Sequence, residues 1–222
     1  MTGIPARSPS SLMSGLCLAC LVFVCGWVLM TLEMLGARLL APSFGTGIYV
    51  WGSVIGVFLL ALSVGYTLGG VLSKRFPSAW GLAGLLLPCA LWIAVLPWVH
   101  RPVNDWIFDW WIVGRGGHEQ WGSLMAALIL FLTPSLLLGT SSPYAIRLAA
   151  TDVASVGQRA GLLYAVSTLG SFLGCMVTSF YLIVWMGMDR ILRFHAAALL
   201  LATIAFCTAW RFLPASGKGD RS

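Results

Sequence analysis

Five side chains stand out in this 222-residue chain as capable of chemistry in a setting that is otherwise apolar: Glu33, Arg38, Ser141, Ser142 and Arg147. Glu33 and Arg38 lie in residues 32–45, LEMLGARLLAPSFG, where the first long apolar run acquires a carboxylate, a guanidinium and a chain-breaking Pro-Ser-Phe-Gly. An ionised side chain at bilayer depth costs about 3 kcal/mol or more, so each needs a partner or a task. The two are five residues apart, about 500° around a helix, and do not stack as a pair four apart would. Glu33 should therefore meet a cation, a hydroxyl or a backbone N–H from another helix, or be reached by Arg38 through a break near Gly36. Arg38 should meet a lipid phosphate of the outer leaflet or a carboxylate such as Asp189. Ser141 and Ser142 belong to Gly-Thr-Ser-Ser-Pro-Tyr-Ala-Ile-Arg, residues 139–147. There Ser142 suits a helix N-cap and Pro143 the first helical position. Free N–H groups, three hydroxyls and Arg147 one turn on would make an anion site; the same residues also suit an ordinary helix start with Arg147 facing lipid phosphates.

Other chemistries lack their residues. No paired carboxylates, no nucleophile with a base and no metal-ligand spacing occurs, so an enzyme acting alone is not expected, nor is a metal or cofactor. The six cysteines fall inside apolar runs and read as small packing residues. His100, His118 and His195 sit near the ends of such runs and form no motif.

These groups must be positioned by membrane helices. The chain is 59% hydrophobic and 9% charged, far from the roughly one-quarter charge of soluble domains. Apolar runs near the roughly 20 residues that span a hydrocarbon core fall at 12–35, 48–72, 79–99, 121–138, 160–186 and 191–213. The expected fold is all-α: a polytopic domain of about six spans over 12–213, a disordered lead over 1–11 and a tail over 214–222. The first run is too long for a cleaved signal and is read as retained. Pro42 is expected to end it.

With the N-terminus in the cytoplasm, eight of the 13 Lys and Arg residues fall on that side and five on the other. This excess selects both termini inside, at a bacterial inner membrane. It also accounts for the net charge of +6 by lipid electrostatics, with no need for nucleic acid.

Within the spans, Gly52, Gly56, Gly65 and Gly69 in the second and Gly170 and Gly174 in the fifth recur at helical spacing. Such faces let helices approach closely, within one chain or between two. Tyr49–Ser53 and Tyr164–Thr168 share a Tyr-x-x-small-small pattern on spans of opposite direction, the mark of a three-plus-three inverted repeat. Between spans three and four, Val103, Trp106, Ile107, Trp110 and Trp111 keep helical spacing while Asp105 and Asp109 share another face. Residues 102–113 are thus expected to form an interfacial amphipathic helix, or a substrate lid.

Four stretches, EMLGARLLAPSFG (33–45), YVWGSVIGVFLLALSVGYTLGG (49–70), SPYAIRLA (142–149) and GLLYAVSTLGSFLG (161–174), resemble the membrane portion of the spermidine-synthase-like integral membrane proteins. The resemblance implies a bundle like half of a major-facilitator-type transporter, with Glu33, Arg38 and Arg147 as polar motif positions. In that family a cytoplasmic aminopropyltransferase-like domain with a Rossmann-type core usually follows; this sequence has no glycine fingerprint for one. Three functions follow as expectations. The first is a membrane subunit that anchors or serves a separate synthase-like enzyme or other partner. The second is a small transporter acting as a dimer, and the third a structural subunit of a larger membrane assembly.

Overall fold

In the computed structural model, residues 9–149 and 153–212 are described, with side chains from residue 13 in the first stretch and from 156 in the second. Most of the expected lead over 1–11 and all of the expected tail over 214–222 lie outside the described residues. Among the described residues there is no strand. Helices α1 (Pro9–Phe44), α2 (Ile48–Arg75), α3 (Ala79–Ile107), α4 (Glu119–Gly139), α5 (Ser141–Ala149), α6 (Val153–Val177), α7 (Ile183–Trp185) and α8 (Met188–Phe212) follow in order. α3 runs on into π-helical turns at Phe108–Val113, and α6 into others at Thr178–Leu182. Six stretches are long and apolar enough to cross a membrane: Met13–Phe44, Ile48–Arg75, Ala79–Val113, Glu119–Ala149, Val156–Trp185 and Met188–Phe212. Six crossings joined by short turns return both ends of the described chain to one side, here the terminal face; the other is the far face. Exposed Trp106, Trp121 and Trp185 stand near the far-face ends of their helices, as in an interfacial aromatic belt.

Three boundaries differ from expectation. α1 passes Pro42 and ends at Phe44, where Gly45 takes φ 78° and donates its N–H to the Ala41 carbonyl. The stop is therefore a left-handed glycine cap. The fixed φ of Pro42 is compatible with a helix, and its ring removes only the bond to the Arg38 carbonyl, so the helix runs on to Phe44 before it stops. The amphipathic stretch is helical, with Trp106 stacked on Trp110 (5.7 Å, 10°) and Arg115 over the Trp110 ring. It is not a separate element, however: α3 carries through His100-Arg101-Pro102 without a break. Buried Asn104 donates to the Leu39 carbonyl at 2.8 Å, and buried His100 lies 3.6 Å from Asp189, so α1 and α8 hold this polar segment in the bundle. Finally, the helix expected to start at Ser142 begins at Ser141 and is continuous with α4 through Thr140.

The glycines explain the packing. The most extensive helix pairs are α1 with α6, α2 with α4, and α3 with α8, followed by α1 with α8 and α3 with α4. Exchanging spans one, two and three for four, five and six maps this set onto itself, as an internal three-plus-three repeat requires. A Cβ at Gly65 would lie 2.5 Å from the Leu136 carbonyl oxygen and one at Gly69 2.6 Å from that of Thr140. On α6, a Cβ at Gly170 would strike the Phe23 carbonyl, and one at Gly174 would lie 2.5 Å from that of Trp27. Each repeat thus uses the glycines of its middle helix against the first helix of the other. The sequence register is Gly-x3-Gly-x8-Gly-x3-Gly, at 52, 56, 65 and 69 and again at 157, 161, 170 and 174. This replaces the Tyr49/Tyr164 alignment. It also divides the expected packing glycines: a Cβ at Gly52 or Gly56, as at Gly157 or Gly161, would meet nothing within 4 Å, and all four lie exposed.

Candidate functional site

The helical phase of α1 places Glu33. Gly26 abuts Ser167 and Ser171 of α6, Gly36 abuts Val54 of α2, and Glu33 falls between these positions, on the side of α1 that faces the seam between α2 and α6. It is half-buried, and its carboxylate has neither a hydrogen bond nor an ion pair among the described residues. The helix is unbroken at Gly36, so Arg38 does not turn back to it. Arg147 lies exposed near the end of α5 at the terminal face, away from Glu33.

Below Glu33, toward the terminal face, α1, α2, α4, α5 and α6 converge on a cavity of about 80 Å³, room for roughly two waters. Tyr66, Ser141, Ser142, Tyr164, Ser167, Thr168 and Ser171 line it with hydroxyls, and Cys25, Gly26 and Leu29 form its α1 wall. Ser141 donates to the Leu138 carbonyl (2.6 Å) and Ser142 to Ser167 (3.4 Å). Both hydroxyl protons are thereby turned away, leaving oxygen lone pairs for the cavity. The hydroxyls of Tyr66, Tyr164, Ser167, Thr168 and Ser171 can donate as well as accept, so the lining suits water or another neutral polar group. Arg147 is not part of this wall. The structure therefore gathers Ser141 and Ser142 with hydroxyls of α6 and separates them from Arg147.

Above Glu33, toward the far face, a second cavity of about 580 Å³ opens between the end of α1, the start of α2 and the α7–α8 turn. Its walls are apolar except for Thr46 and the exposed Arg38, which has no ion pair or hydrogen bond among the described residues. Asp189, the carboxylate expected for Arg38, lies beside His100 instead. No family model, curated protein or solved structure matches this chain. The site is accordingly read from its own residues.

One polar cluster has no counterpart in the sequence reading. His195 of α8 is buried and its Nδ1 lies 2.7 Å from the Ile191 carbonyl, so Nδ1 carries the proton and donates. Its Nε2 then accepts from the Trp27 indole N–H at 2.9 Å, which fixes a neutral ring. Thr31 lies 3.2 Å from the same nitrogen and 2.9 Å from Thr178, the residue at which α6 becomes π-helical. The network ties α1, α6 and α8 together at the point where the widened π turn re-aims the side chains of α6. It lies on the side of α1 opposite Glu33, since positions 31 and 33 differ by about 200°. Among the described residues no group of three or more His, Cys, Asp or Glu could hold a metal ion, and all six cysteines are free.

Proposed function

We propose that this chain is a six-helix half of a membrane transport unit, completed by a second copy across the α2 and α6 faces, with Glu33 as the group that binds a cationic or protonated species in transit. The observation that carries the reading is Glu33 itself. It is a carboxylate without an ionic or hydrogen-bonding partner among the described residues, set on one side of α1 between a hydroxyl-lined cavity and a larger one open at the far face. Partnerless carboxylates at bilayer depth are expensive, and their use is in ion or proton pathways. Support for a second copy comes from α6, the least buried of the six spans, and from the uncovered glycine pairs on α2 and α6. Counted over the whole sequence, eight of the 13 Lys and Arg residues fall on the side of the termini, which supports a cytoplasmic terminal face by the charge rule. That cationic face is also what supports the alternative of a membrane anchor for a synthase-like partner.

Cysteine accessibility tests the transport reading without a known substrate. In a cysteine-free background in native membranes, cysteines at Leu29, Glu33 and Ala37 should react with a water-soluble methanethiosulfonate, whereas one at Leu201, exposed on α8, should not. Protection of all three seam positions would remove the aqueous path. Purification as a monomer with a stoichiometric soluble enzyme would favour the anchor.

A further inference from the structure

We infer that the far-face cavity is a binding site for an organic anion with an apolar body, whose phosphate or carboxylate sits on Arg38. The inference stands on the cavity and does not require the transport reading. Three observations converge. Arg38 is exposed at the cavity and no acid answers it: Asp189 lies beside His100 at 3.6 Å, and Asp105 accepts a hydrogen bond from Ser43. The rest of the wall is built for an apolar body, with Trp51, Ile183, Met186 and Met188 drawn from three elements around a volume of about 580 Å³. That volume lies within the range of small-molecule sites, which pair mostly apolar walls with a few placed polar groups. Thirdly, the cavity stands at the level of the exposed tryptophans, with Trp185 next to Met186, so a head group held there is at the depth of phosphates while its body points into the seam. Guanidinium matches phosphate or carboxylate in a bidentate fork, and an indole beside it packs the adjoining chain.

Such an anion could be a lipid of the surrounding leaflet or a soluble organic acid, and the test separates them. Delipidated protein in neutral detergent is examined by native mass spectrometry with dioleoylphosphatidylglycerol in one arm and decanoate in the other. Wild type and Arg38→Gln are compared, with Arg101→Gln, another exposed far-face arginine, as the control. We expect one equivalent bound, weakened more than about tenfold by Arg38→Gln, as fits the loss of a charge-assisted contact, and unchanged by Arg101→Gln. Binding in the lipid arm alone assigns the site to a lipid, and in the decanoate arm alone to a soluble acid. No saturable binding in either arm, or equal loss from Arg38→Gln and Arg101→Gln, overturns the site. A thermal-unfolding midpoint within a degree or two of wild type shows that Arg38→Gln is folded; should it not be, Arg38→Lys, which keeps charge but loses the fork, must bind more weakly than wild type for the site to stand.

Discussion

Adding one methyl group to each of two kinds of glycine should move stability in opposite directions. Gly65, Gly69, Gly170 and Gly174 face backbone of another helix. At Gly69 a Cβ would meet the Thr140 carbonyl oxygen at 2.6 Å, its Cα at 2.9 Å and Pro143 Cγ at 2.8 Å. Ordinary carbon contacts need about 3.5 Å, so α2 and the α4–α5 junction must part by several tenths of an ångström along the whole pair. Overpacking of this kind costs about 1–3 kcal/mol, against which the better helix propensity of alanine returns at most about 1 kcal/mol. Gly69→Ala and Gly174→Ala should thus lose about 1–2 kcal/mol net, which on the scale for chains of this size lowers the unfolding midpoint by roughly 2–8 °C. Gly52→Ala and Gly157→Ala meet nothing within 4 Å and keep only the propensity gain. Their midpoints, measured in a detergent that holds the chain monomeric so that no second copy covers these faces, should stay level or rise. Thermal unfolding followed by far-ultraviolet circular dichroism, on all four variants in one detergent, reads the sign. Equal destabilisation of Gly52→Ala and Gly69→Ala would mean that the glycine register is not the packing register, and the internal repeat drawn from it would fall.

Other outcomes follow from the polar groups. His195→Leu strands the Trp27 N–H, while Thr31 keeps Thr178, and should cost about 2 kcal/mol, within the range of about 1–3 kcal/mol for one unpaired buried group, whereas Thr178→Val, which leaves Thr31 on His195, should cost no more than about 1 kcal/mol; unfolding in graded sodium dodecyl sulfate compares them, and equal costs would show that His195 is not the hub. Asn104→Leu frees the Leu39 carbonyl where α3 crosses α1, and should raise hydrogen exchange at residues 102–113 before the rest of α3; uniform exchange along α3 would mean that the segment is held otherwise. Ser142→Ala removes the long 3.4 Å link to Ser167 without touching the glycine contacts, so it should cost no more than about 1 kcal/mol of stability; a larger loss would make the hydroxyl cavity part of the folding core.

How much of this was legible depends on whether a signal is local. The six spans were, because twenty apolar residues are a length requirement of the bilayer and need no partner. Span ends were less so. Pro42 and His100-Arg101-Pro102 look like breaks when only the chain is considered, yet α1 and α3 run through them, the second because Asn104 and His100 find places on α1 and α8. The repeat was visible in principle, for eight glycines keep one spacing. Tyr49 and Tyr164 point to the repeat but not to its register, since both are exposed and no close helix contact fixes them. His195 was not legible, as its partners Trp27 and Thr31 lie more than 160 positions away and nothing in α8 marks it. Ser141 and Ser142 stand out in the sequence as adjacent hydroxyls, but their neighbours on α6 come from tertiary packing, and Arg147 is carried to the membrane surface instead.

The repeat also separates what the fold needs from what it merely tolerates. The close contacts pair Phe23 with Leu136 and Trp27 with Thr140, and they pair Gly26, against Ser167, with Gly139, against Leu62. Continuing that correspondence along the first helix of each repeat places Ile146 opposite Glu33, and both are half-buried. The glycines occur in both repeats and the carboxylate in only one, so helix packing does not explain Glu33. Glu33→Ile should consequently fold and match or exceed wild type in thermal stability, since it exchanges a partnerless carboxylate for the side chain the fold already accepts at the equivalent place. Glu33→Gln should fold as well, and both should lose whatever activity depends on a charge in the seam. If Glu33→Ile expressed poorly or unfolded several degrees early while Glu33→Gln did not, the carboxylate would have an assembly role that the symmetry hides. If both variants retained full activity, Glu33 would be a carboxylate that the seam simply solvates, and the path would have to be sought through the hydroxyl cavity alone.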